Sequence, residues 1–207
     1  MFEALLPFEI EVFHWVASWA NPFWDRFFVI ITTLGDHGIL WIALGLLLLI
    51  NKRTRKAGLV VLLAMGLMAL INNITLKSLF ARPRPFLLEL DWWVESFIYP
   101  ELIKRPGGLA FPSGHSAGAF AGAAAWLLGS RQWAKRAQYY TIIAIILAGG
   151  IAFSRLYVGV HYLSDIIAGP LVGVGCAFLA YFAIRKLEPQ LDRLSYFRWH
   201  GNKNDKE

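Results

Sequence analysis

The sequence runs to 207 residues, of which 57% are hydrophobic, 15% aromatic and only 16% charged. That excludes a disordered chain, a collagen-like repeat and a disulfide scaffold, the last because Cys176 is the single cysteine. A net charge of +6 in so apolar a chain points to a bilayer, and no nucleic-acid partner is expected.

Residues 3–20 mix Glu3, Glu9, Glu11 and His14 with Phe, Trp and Leu, the pattern of an interfacial amphipathic helix. Asn21-Pro22 breaks it. Residues 22–34 read as a second shallow helix; the alternative joins them through Gly35 to 38–50 as one kinked span. No basic region precedes Arg26, so no cleaved signal peptide is expected. Apolar stretches at 38–50, 57–76, 116–130, 137–153 and 166–184 then read as spans. The second holds twenty uncharged residues, what a helix needs to cross ~30 Å of hydrocarbon. Residues 116–130 are rich in Ala and Gly, which predicts a helix packed closely against protein, and Gly169 with Gly173 form a similar small pair.

The fold class expected is therefore all-α: a polytopic transmembrane helical bundle of about five to six spans with an N-terminal interfacial helix. It divides into interfacial residues 1–35, a transmembrane core over 36–185 and a cytoplasmic tail over 186–207. Thirteen Lys and Arg residues fall on one side of this topology, among them Lys52, Arg53, Arg55, Lys56, Arg131, Lys135 and Arg136. The other side has seven: Arg26, Lys77, Arg82, Arg84, Lys104, Arg105 and Arg155. The richer side is expected in the cytoplasm.

Three polar clusters then share the outer face. Lys77, Arg82 and Arg84 close the second span, and Pro112-Ser113-Gly114-His115 opens the third, where free N–H groups and the helix dipole favour an anion. Ser154 and Arg155 close the fourth span. His161 and Asp165 open the fifth, four residues apart and so on one helical face. Each residue alone has a plainer reading: a snorkelling cation, a packed histidine, a helix start. Together, two histidines, a carboxylate and several cations point to phosphoryl transfer. The cations hold phosphate, one imidazole attacks phosphorus and the other protonates the leaving oxygen. A zinc site is disfavoured by the surrounding cations, so no metal is expected.

These residues match a known pattern: Lys77-x6-Arg84-Pro85, then Pro112-Ser113-Gly114-His115, then Ser154-Arg155-x5-His161-x3-Asp165. The sequence resembles the type 2 phosphatidic acid phosphatase superfamily from about residue 57 to 184. The resemblance implies His161 as the nucleophile that becomes phosphohistidine, Asp165 as its orienting carboxylate and His115 as the general acid. It implies Lys77, Arg84 and Arg155 as phosphate ligands, helped by Ser113 and the Gly114 amide, and it implies no cofactor. Arg82, Ser154 and His37 are secondary candidates, His37 as a headgroup contact or a helix cap. Phe86, Trp92, Trp93, Phe97 and Tyr99 read as an aromatic belt or a lid. Lys104 and Arg105 are candidates for a second phosphate. Asn73-Ile74-Thr75 spells a glycosylation sequon inside a span and is discounted.

The expectation is an integral membrane lipid phosphatase of the bacterial plasma membrane, its site on the extracytoplasmic face. Its substrate would be of the undecaprenyl diphosphate, phosphatidate or phosphatidylglycerol phosphate type. A phosphotransferase using the same intermediate, or a non-catalytic lipid-binding or transport protein, stays open. The partners expected are the membrane and the lipid phosphate; nothing in the sequence speaks to oligomeric state.

Overall fold

The structure, a computed structural model, describes residues 2–87, 102–130 and 136–194. All regular structure among them is helical: α1 (Leu6–Ala17), α2 (Pro22–Leu34), α3 (Ile39–Ile50), α4 (Arg55–Met68), α5 (Lys77–Phe80), α6 (Gly114–Ser130), α7 (Arg136–Tyr157) and α8 (Leu163–Leu191). The aromatic residues Trp92, Trp93, Phe97 and Tyr99 of the expected belt, Arg131, Lys135 and the end of the tail lie outside the described residues.

Local chemistry explains the boundaries. Asn21 starts α2 by accepting the N–H groups of Phe23 and Trp24 at 3.0 and 3.2 Å, with Pro22 in the first turn. Helix α2 is followed directly by α3 across a kink, and whether 22–34 lies in the interface or spans the bilayer with 38–50 is a matter of membrane placement. Helix α2 packs along α7 and passes through a 3-10 turn at Asp36–Gly38 into α3. His37 and Gly38 take left-handed φ values of 53° and 66° and make the kink. Helix α4 continues through a π-helical segment, Ala69–Leu76, into α5. Ala81, at φ 44°, ends it with an N–H bond to the Lys77 carbonyl at 2.9 Å.

Among the described residues, four stretches are long and apolar enough to cross a membrane: Pro22–Ile50, Arg55–Leu87, Tyr139–Tyr157 and Leu163–Leu191. Helix α6 is shorter, about 25 Å at 1.5 Å per residue. Ten of its residues are buried, and α4, α7 and α8 pack around it. Its small residues let α8 approach closely. A Cβ on Gly173 would sit 2.1 Å from the Ala117 carbonyl oxygen, and one on Gly169 2.6 Å from Ser116 Cβ. The outward faces of α7 and α8 carry exposed Ile143, Ile146, Leu171 and Phe182, as a lipid-facing surface requires. Lys56 ties the start of α4 to Glu188 and Asp192 at the end of α8, at 2.6 and 3.0 Å. The three polar clusters gather at the opposite end.

Helix α1 buries one of its carboxylates. Glu9 is 2% exposed and bound to Arg82 and Ser164, so the first helix is joined to the core.

Candidate active site

Three helix junctions deliver the site. The end of α4–α5 brings Lys77, and Arg84 follows on the irregular segment that leads into a 3-10 turn at Pro85–Leu87. The start of α6 brings His115, and the link from α7 to α8 brings Arg155, His161 and Asp165. Lys77, Arg84, His115, Arg155 and His161 all line one cavity of about 820 Å³. Its opposite wall is apolar, formed by Ile42 of α3 with Leu62, Met65 and Ala69 along α4 and the π-helical segment.

His161 is 1% exposed and held from both sides. Its Nδ1 lies 3.2 Å from Asp165 Oδ2 and its Nε2 lies 3.3 Å from Arg84 Nη1. A guanidinium only donates, so Nε2 must accept and Nδ1 must carry the proton. Burial, with Arg84, Arg155 and Lys77 close by, keeps the His161 pKa well below the usual imidazole value. The ring is therefore neutral, with its Nε2 lone pair towards Arg84 where both residues line the cavity.

The cations are anchored by neutral oxygens. Arg84 donates to the carbonyls of Gly107, Gly108 and Val160 at 3.0–3.1 Å. Lys77 Nζ donates to the Leu109 carbonyl at 3.1 Å, and Arg155 Nη1 to Thr32 Oγ1 at 2.6 Å. Arg155 Nε is buried with no hydrogen-bond partner among the described residues. Among the described residues none of these three cations has a carboxylate in ion-pair range. Burying such charge is costly unless an anion answers it. His115 differs: its Nε2 sits 2.9 Å from Asp36 Oδ1, and both line the cavity.

Several sequence-derived candidates are placed elsewhere. Ser113 is fully buried, does not line the cavity, and caps α6 by accepting the Ser116 N–H at 3.4 Å. Gly114 does line it, and a Cβ there would lie 2.8 Å from Asn73 Oδ1. Ser154 bonds back to the Ile151 carbonyl at 2.7 Å, away from the cavity. Arg82 faces away too, bound to Asp165 Oδ1 at 2.7 Å and to Glu9 at 2.5 Å. His37 and Lys104 reach the cavity wall. Asp36, Thr32, Asn73 and Glu9 were not read from the sequence as site residues. The readable signal for Asp36 was an acid interrupting an apolar stretch; for Glu9 there was none. No group of three or more His, Cys, Asp or Glu suited to a metal ion occurs among the described residues.

Comparison with known proteins identifies the family. The family model of the PAP2 superfamily matches residues 57–189. The undecaprenyl-diphosphatase of Sulfolobus acidocaldarius is 34% identical over 142 residues, 68% of this chain and 61% of that protein. The lipid A 4'-phosphatase of Bacteroides thetaiotaomicron is 29% identical over 178 residues, 83% of this chain and 74% of that protein. The crystal structure of Aquifex aeolicus LpxE is similar with a TM-score of 0.61 and 27% identity, over 83% of this chain and 93% of that one. With its three motifs converging on one cavity and more than half its length matched, the chain belongs to the PAP2 superfamily.

Proposed function

We propose that this chain is an integral membrane phosphatase that hydrolyses a lipid phosphate or diphosphate through a phosphohistidine at His161. The observation that carries this reading is the trio Lys77, Arg84 and Arg155, whose uncompensated charges surround a neutral histidine. Phosphoryl transfer asks mainly for positioning and for positive charge around the equatorial oxygens. Burial, Arg155 and Lys77 hold the resting His115 pKa down to about 4; an anionic phosphate offsets those cations, so His115, beside Asp36, takes up a proton as substrate binds. His161 Nε2 attacks phosphorus as the bond to the leaving oxygen breaks, and His115 gives that oxygen its proton. Water then attacks the phosphohistidine, His115 takes the water's proton, and inorganic phosphate leaves with His161 restored. Asp165 keeps the Nδ1 proton in place through both steps. Ser113 contributes by starting α6, which presents Gly114 and His115.

The apolar wall beside these charges suits a headgroup whose hydrocarbon chain stays in the bilayer. The relatives' names, an undecaprenyl-diphosphatase and a lipid A 4'-phosphatase, favour the same class. An isoprenoid diphosphate heads the substrate panel, followed by phosphatidate and phosphatidylglycerol phosphate; Lys104 at the cavity wall would meet a second phosphate. The bias of basic residues towards the end remote from the site supports an extracytoplasmic site in a bacterial plasma membrane.

The test is phosphate release from that panel by the purified protein in lipid vesicles. At least one member should yield inorganic phosphate. No release from any of them would overturn the reading, and label appearing on an acceptor lipid instead would make the protein a phosphotransferase.

A further inference from the structure

We propose that Glu9 of α1, outside the stretch matched by the family, is a positioning residue of the active site. Through Arg82 and Ser164 it fixes the Asp165 carboxylate and keeps that carboxylate's charge available to His161. The inference rests on the assignment of His161 as nucleophile.

The contacts form one closed cluster. Glu9 Oε2 accepts from Arg82 Nη2 at 2.5 Å, while Oε1 accepts from the Ser164 hydroxyl at 2.6 Å and the Ser164 N–H at 3.1 Å. Arg82 Nη1 donates to Asp165 Oδ1 and to Ser164 Oγ, both at 2.7 Å. Asp165 Oδ2 is left for His161 Nδ1 and the Tyr162 N–H. The Arg82 guanidinium is further fixed over the rings of Tyr162, at 3.7 Å, and Phe2, at 4.3 Å. Glu9, Arg82 and Asp165 are 2%, 4% and 0% exposed, so water screens none of these charges.

The charge count gives Glu9 its role. Arg82 alone would cancel Asp165, leaving His161 beside a neutral pair. With Glu9 the cluster carries one net negative charge, and Arg82 divides its attraction between two carboxylates. A phosphorylated imidazole gains positive character at Nδ1–H, and a carboxylate still charged there stabilises it. Packing does not explain the arrangement, because α1 is already held by buried Phe13 and Val16 in a cluster with Leu156, Tyr157 and Tyr162. Arg82 and Ser164 occupy variable positions of the motifs, so no signature would name them.

Glu9→Gln keeps the shape and removes the charge. In vesicles it should lower kcat by about 10- to 100-fold with KM within about twofold of wild type. Glu9→Asp should recover much of the loss, and Glu11→Gln, exposed on the same helix, should behave as wild type. In resting protein with 15N-labelled histidine, the His161 Nδ1 proton resonance should move upfield in Glu9→Gln. Should Glu9→Gln fail to fold, Ser164→Ala removes the shared hydroxyl and should lower kcat several-fold. Unchanged kcat together with an unmoved Nδ1 resonance would overturn the proposal, as would equal losses in the Gln and Asp variants. If wild type releases no phosphate from any lipid, the phosphatase reading fails, and the resonance alone decides the role of Glu9.

Discussion

Arg84 Nη1 lies 3.3 Å from His161 Nε2, and this contact places a permanent donor against the atom that would attack phosphorus. The same guanidinium lines the cavity in which the proposed reaction would place the phosphate. Under that proposal one residue prepares both the nucleophile and its target.

The electrostatic consequence is testable by titration. His161 should remain neutral well below pH 6.5, because burial and the neighbouring cations oppose the imidazolium. Arg84→Gln removes one cation, so the pKa should rise towards the ordinary value. Histidine-selective 15N NMR across pH 4.5–8 measures both. A midpoint near 6.5 in the wild type, or a fall in Arg84→Gln, would contradict the assignment.

Arg155 offers a buried Nε with no partner among the described residues, while Thr32 holds its Nη1. Arg155→Ala should lower kcat/KM by about 10²–10³, the cost of losing one charge-stabilising donor. Thr32→Val should lose far less, since it only loosens the anchor. Steady-state kinetics on the best substrate decides, and equal losses would deny Arg155 a direct contact with phosphate.

Much of this architecture was legible in the sequence. The apolar stretches fall on the observed helices, and the Ala- and Gly-rich segment 116–130 is indeed the helix wrapped by protein. Every residue of the cavity trio was marked by motif spacing. What could not be read were carboxylates from the first forty residues. Glu9 sits in an amphipathic pattern where an acid facing water and one facing a buried guanidinium look alike. Asp36 reaches His115 across 79 positions, a pairing that only the packing of the 3-10 turn Asp36–Gly38 against α6 creates. Ser113, which the family resemblance names as a phosphate helper, stands in the structure as the cap of α6, and a serine before a helix start serves as cap or anion donor with equal ease.

The seam between α6 and α8 supplies a stability prediction. A Cβ at Gly173 would meet the Ala117 backbone, whereas one at Gly175 would meet nothing within 4 Å. Gly173→Ala should lower Tm by the equivalent of about 1–3 kcal/mol of overpacking. Gly175→Ala should be neutral or stabilising, because alanine favours the helix. Thermal unfolding in detergent separates the two, and equal Tm values would contradict the close approach.

Chelation should leave catalysis intact, since every charge the proposed steps need comes from Lys77, Arg84, Arg155 and the two histidines. Phosphate release with excess EDTA should match the untreated rate. Strong inhibition reversed by an added divalent metal would contradict the metal-free scheme.

The central claim is a covalent intermediate on one nitrogen. Turnover of a 32P-labelled lipid phosphate, quenched in alkali where phosphohistidine survives, should leave label on the His161 peptide in wild-type protein. His161→Ala should fold, bind no label and release no phosphate. Label on another residue, or appreciable turnover by His161→Ala, would contradict the account.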